Sequence, residues 1–142
     1  MSTAVAAAAG AAPAAATSFY TEGVPHGTPF AMLPLEHQSA FHAGIELFNA
    51  GHYWHAHEQW EQCWLTSPEP AATFYKALIQ AAAALVKWQQ GNLRGLQRNW
   101  AKSRARLLTL PPTFAGIDLL ALRTAMDAFV LAPDQPPPQL LL

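Results

Sequence analysis

A chain of 142 residues, 51% hydrophobic and 12% charged, fits a single domain with a packed core. Its one cysteine, Cys63, excludes an internal disulfide, and no uninterrupted apolar run reaches membrane-spanning length, so a cytoplasmic protein off the membrane is expected. The net charge of −1 hides an asymmetry, because six of nine acids precede Lys76 while seven of eight basic residues fall between Lys76 and Arg106.

Residues 1–34 form an Ala-, Pro- and Gly-rich extension, and its first 19 residues carry no charge and no aromatic before Phe19. Too few large apolar side chains are present to anchor it, so a disordered segment is expected. It has no positively charged start and an alanine rather than leucine run, which favours a plain extension over a signal peptide. From Leu35 to residue 131 the pattern is helical, without alternating strand character. The first predicted helix covers about 35–50, with Phe41, Ile45 and Phe48 as its core stripe and Gly51 as a left-handed cap. The second covers about 52–65, with Tyr53, His57, Trp60 and Trp64 on one face, and Ser67-Pro68-Glu69-Pro70 stops it.

The third covers about 70–90, with Phe74, Leu78, Ala81, Leu85 and Trp88 inward; the run Ala81–Ala84 allows close approach and marks a central helix. The fourth covers about 93–109, with Leu96, Trp100 and Leu107 inward and Arg94, Arg98 and Lys102 on the other side. The fifth covers about 116–131, followed by a Pro-rich tail, 132–142, that is expected to be disordered as well. Short loops favour antiparallel neighbours, which gives an all-α compact bundle of about five helices. A weak repeat at an offset of 40 aligns Gly51 with Gly91 and Trp60 with Trp100. Gly44, Ala56, Trp60, Cys63 and Pro68 fall at the small, aromatic and proline spacings of a tetratricopeptide hairpin. There, small residues let two helices touch and the aromatic fills the groove.

Chemistry concentrates in the second helix. His57, Glu58 and Glu61 spell H-E-x-x-E, close to the H-E-x-x-H of zinc hydrolases. His57 and Glu61, four apart, share a face, whereas Glu58 is turned by about 100°. A divalent-metal hydrolase would use His57 and Glu61 as ligands and Glu58 as general base, with a further ligand from another helix. An antiparallel first helix could bring His42 and Glu46 opposite that pair. The alternatives are a hydrogen-bonded structural cluster and a site for a small polar ligand or protein segment, lined by His57, Glu58, Glu61, Trp64, Glu46 and Gln80. Gln80 and Lys76, on the central helix, could partner the second helix. Cys63 reads as packing. The basic stripe of the fourth helix raises an RNA-associated module, but a pI of about 6.6 and no aromatic ladder favour a solvated face.

The segments "LFNAGHYWHAHEQWEQCW" (47–64), "FYKALIQAAAAL" (74–85) and "GNLRG" (91–95) together resemble a bacterial family, the domain-of-unknown-function 309 family. The resemblance implies a small helical bundle without an established activity, with His57, Glu58, Glu61 and Trp64 as its distinctive polar–aromatic group and Gln80 and Asn92 as matching positions. The chain departs at Lys76-Ala77, where the family pattern places Gln-Gly. Residues and resemblance together favour a non-catalytic binding module over an enzyme.

Overall fold

The computed structural model describes residues 33–142, so the extension expected at 1–34 lies, up to residue 32, outside the described residues. A 3-10 turn, Leu35–His37, leads into α1 (Gln38–Asn49), followed by α2 (Tyr53–Trp64), α3 (Ala71–Gln89), α4 (Leu93–Leu107) and α5 (Leu119–Leu131). The five expected helices are present as a compact helical fold, with ends within a few residues of those predicted.

Two of the turns share one construction. After α1, Gly51 at φ 86° lets its own N–H reach Phe48 O at 3.0 Å and the next N–H, of His52, reach Leu47 O at 2.8 Å. After α3, Gly91 at φ 75° does the same, with Gly91 N to Trp88 O at 2.9 Å and Asn92 N to Lys87 O at 2.8 Å. These are paired Schellman caps, which need a residue at positive φ and therefore glycine.

α3 is the central element. It packs against α2 on one side and α4 on the other, and it buries Phe74, Tyr75, Leu78, Ile79 and Leu85 together with Ala77, Ala81, Ala82 and Ala84. The alanines admit the neighbouring backbones, and Ser103 Oγ of α4 donates to Ala77 O at 2.7 Å in the interior. Each large side chain removed from water contributes roughly 1.5–3 kcal/mol. Phe74 stacks on Phe114 at 4.5 Å between centroids, and Trp88 meets Phe129 of α5 edge-on at 5.1 Å.

Two expectations change here. The start expected for α5 near residue 116 is instead a two-residue antiparallel ladder, β1 (Thr113–Phe114) with β2 (Ile117–Asp118). Ala115 at φ 50° and Gly116 at φ 82° form its turn, since successive positive-φ residues twist a tight hairpin correctly. Asp118 then caps α5 by accepting from Ala121 N at 2.8 Å. The second change concerns the Pro-rich tail, which was expected to be disordered. It is bound along the domain: Trp88 Nε1 donates to Pro133 O at 3.0 Å, and Asn49 makes two bonds with the Leu140 backbone, at 2.7 and 3.0 Å. Leu140 itself is 3% exposed. Backbone groups of the segment take these hydrogen bonds, while the Leu140 side chain packs into the core. No helix among the described residues is long and apolar enough to cross a membrane.

Candidate functional site

The buried face of α2 consists of Tyr53, Ala56, Trp60 and Cys63. Trp60 is fully buried and its Nε1 donates to Phe41 O at 3.2 Å. Gly44 makes this possible, because a Cβ at that position would stand 2.2 Å from Trp60 Nε1. His57 and Trp64, expected on the same face as Trp60, lie instead at its border, half-buried.

That border is where the signature residues gather. His57, Glu61 and Trp64 follow one another at spacings of four and three, so they form a single flank of α2. His57 Nε2 lies 3.8 Å from Glu61 Oε2, and the side chain of His57 is 19% exposed against 47% for Glu61. His57 Nδ1 is buried without a hydrogen-bond partner among the described residues. Trp54, one turn earlier, lies against the His57 ring at 5.0 Å between centroids and is 57% exposed. At the other end, Lys76 Nζ of α3 sits 4.4 Å from the Trp64 ring centroid, a cation–π contact. Lys76 therefore partners the second helix through an aromatic ring.

The remaining candidates lie elsewhere. Glu58 points away from the flank and pairs with His55 at 3.1 Å, both exposed. Glu46 is exposed on α1, and no hydrogen bond or ion pair among the described residues links its side chain to α2. His42 lies against Phe41 at 5.3 Å. Gln80, expected to serve the polar group of α2, instead accepts from Arg106 Nε of α4 at 2.9 Å. Helix spacing alone places Gln80 on a face but does not say which neighbour that face meets. Among the described residues no three His, Cys, Asp or Glu side chains group so as to hold a metal ion, so His57 and Glu61 stand as a pair.

A second polar group is internal, and the sequence carried no sign of it. His37, Cys63 and Tyr75 come from the 3-10 turn, α2 and α3, and are 7%, 1% and 0% exposed. His37 Nε2 and Thr66 Oγ1 are hydrogen-bonded at 2.8 Å, and the His37 ring stands edge-on to Tyr75 at 6.0 Å. Cys63 Sγ donates toward His37 O at 3.8 Å. His37 Nδ1 is buried without a hydrogen-bond partner among the described residues, and the buried Tyr75 Oη lies beside the Cys63 sulfur. Burial pushes the Tyr75 phenol far up, with the Cys63 sulfur adding to it, and burial pushes the Cys63 thiol up as well. Burial lowers His37, against a smaller opposing effect of Glu36. All three groups therefore favour their neutral forms. A thiol held protonated is a packing residue and not an activated nucleophile, in line with the reading of Cys63 from its spacing.

The site's chemistry is thus that of a surface carrying an exposed indole, a half-buried imidazole with a nearby carboxylate, and a cation resting on a second indole. No curated protein matches the chain. Residues 41–99, from α1 into α4, match the family model described as Domain of unknown function (DUF309), the family that the α2 signature resembles.

Proposed function

We propose that this helical domain is a non-catalytic binding module whose contact surface is the α2 flank of Trp54, His57, Glu61 and Trp64. The observation that carries this reading is Trp54, more than half exposed yet held against the His57 ring at a tilt of 45°. Tryptophan presented at a surface is the residue type that most often dominates a protein contact. Glu61 offers an acceptor beside it, and Lys76 on Trp64 offers a cation, so the flank combines an apolar anchor with charges of both signs. An open flank of this kind suits an extended protein segment better than a small polar molecule, which binds in concave sites. The tetratricopeptide-like spacing of Gly44, Ala56, Trp60 and Cys63 is consistent with a scaffold that displays such a surface.

The metal-dependent hydrolase reading draws less support, since Glu58, its general base, is turned toward His55. The RNA reading rests on Arg94, Arg98 and Lys102, which are exposed, but Arg104 is committed to Asp127 at 3.0 Å.

The test is selection of a displayed peptide library on the immobilised full chain and on Trp54→Ala in parallel. Peptides selected by the parent chain should lose about tenfold or more in affinity for Trp54→Ala and be weakened by Glu61→Gln, while both variants melt within roughly 0.5 kcal/mol of the parent stability. Equal recovery on parent and Trp54→Ala would overturn the proposal. A large stability loss in Glu61→Gln would instead make the flank a structural element.

A further inference from the structure

We infer that the cleft between α3 and α4 is a separate binding site, for a small hydroxylated molecule bearing a phosphate group. It is independent of the α2 flank. The cleft has a volume of about 450 Å³ and is lined by Thr73, Gln80, Lys102, Ala105, Arg106 and Thr109.

The hydrogen-bonding capacity left open by these residues defines the ligand. Gln80 Oε1 accepts from Arg106 Nε at 2.9 Å, which fixes the guanidinium and leaves its two terminal N–H₂ groups without a partner among the described residues. The same bond takes up one lone pair of the Gln80 carbonyl, and its amide N–H₂ is left to donate to a ligand. Lys102, one turn before Arg106, has no ion-pair partner among the described residues. These donors lie around one cleft whose lining contains no carboxylate. Glu69, the acid bonded to a lining residue, is engaged by the backbone N and the Oγ1 of Thr73, at 3.0 and 2.6 Å.

The two threonines have the opposite character. Thr73 Oγ1 donates to Glu69 Oε1 and Thr109 Oγ1 donates to Arg106 O at 2.7 Å, so each hydroxyl proton is engaged and its oxygen is left to accept. Donors in several directions from Arg106, Lys102 and Gln80 match the spread oxygens of a phosphate better than a planar carboxylate. Acceptors at the cleft edge match ligand hydroxyls. Lys102 and Arg106 are also like charges four apart on one helix, a mildly destabilising arrangement that a bound anion would relieve.

The experiment is calorimetric titration of the full chain with glycerol 3-phosphate, inorganic phosphate and glycerol. Glycerol 3-phosphate should bind saturably at one site, inorganic phosphate more weakly, and glycerol not at all. Lys102→Gln and Arg106→Gln should each weaken binding by about tenfold, the loss of one charge-assisted contact. Circular dichroism should show both variants folded. Absence of saturable heat, or unchanged affinity in both variants, would overturn the site. Equal affinity for phosphate and its glycerol ester would overturn the hydroxylated ligand. A uridine decamer that binds more tightly and depends on Arg94 and Arg98 would overturn the assignment in favour of nucleic acid.

Discussion

The two helical hairpins, α1–α2 and α3–α4, are built on the same turn and locked in different ways. Each turn is a Schellman cap on a glycine, Gly51 or Gly91, and each second helix carries a tryptophan at the same offset, Trp60 or Trp100. In the first hairpin the indole is sealed between helices. Its N–H goes to the Phe41 carbonyl, and the fit depends on the missing side chain of Gly44. In the second, the residue at the position equivalent to Gly44 is Ala84, and the Trp100 N–H goes to Asp127 Oδ1 of α5 at 2.8 Å. That carboxylate also accepts from Arg104 Nε at 3.0 and 3.1 Å. One hairpin is therefore fixed by shape and the other by charge shared with a third helix. The difference follows from position: the second hairpin has α5 beside it to supply an acid.

The strongest way to break this contrast is to add volume. Gly44→Ala should cost roughly 1–3 kcal/mol in urea denaturation, at the upper end because the Trp60 ring must move off its hydrogen bond. Ala84→Gly, the reverse change in the second hairpin, should cost only about 1 kcal/mol. Equal losses would mean that the two seams are alike. Removing charge should have the opposite bias. Asp127→Ala should cost about 1–2 kcal/mol, since it frees both the indole N–H and the half-exposed Arg104, and the loss should shrink in high salt. The loss from Gly44→Ala should not.

The turns themselves offer a finer test. Asn92 caps α4 by accepting from Gly95 N at 2.8 Å, whereas His52, its counterpart before α2, makes no side-chain cap bond. Asn92→Ala should therefore lower stability by about 1 kcal/mol and His52→Ala by very little, read from melting curves. The smallest expected effect is titration of His37. Because burial depresses its pKa below the ordinary 6.5, the unfolded chain binds a proton more readily than the folded one. Stability is complete above pH 6.5 and declines as pH falls toward the depressed value. In His37→Gln, thermal melts between pH 7.5 and 5 should lose that part of the decline.

Much of the helical frame was legible because its boundaries are written in local chemistry. Gly51, Gly91 and the Pro68-Glu69-Pro70 run mark ends that need no tertiary information. The buried role of Ala56, Trp60 and Cys63 was likewise readable from spacing. The site was legible only in part. Spacing joined His57, Glu61 and Trp64, but it could not show that Trp54 would stand exposed on His57 or that Glu58 would turn to His55. Gln80 found an unexpected partner because its contact depends on how adjacent helices are rotated, which no single-helix pattern encodes. His37 and Tyr75 meet across 38 positions, 75 minus 37, by the same rule. The tail escaped notice because its bonds run through the Leu140 backbone, and backbone groups are identical in every sequence.

The clasp of Asn49 on Leu140 has a consequence for how the domain unfolds. Stacked hairpins ordinarily behave as a string whose ends can fray separately, each unit coupled only to the next. Here a contact spanning 91 positions ties the C-terminal end of the chain to the first turn, so the string is closed into a ring. Opening either hairpin then strains the other, and the domain should melt in one step.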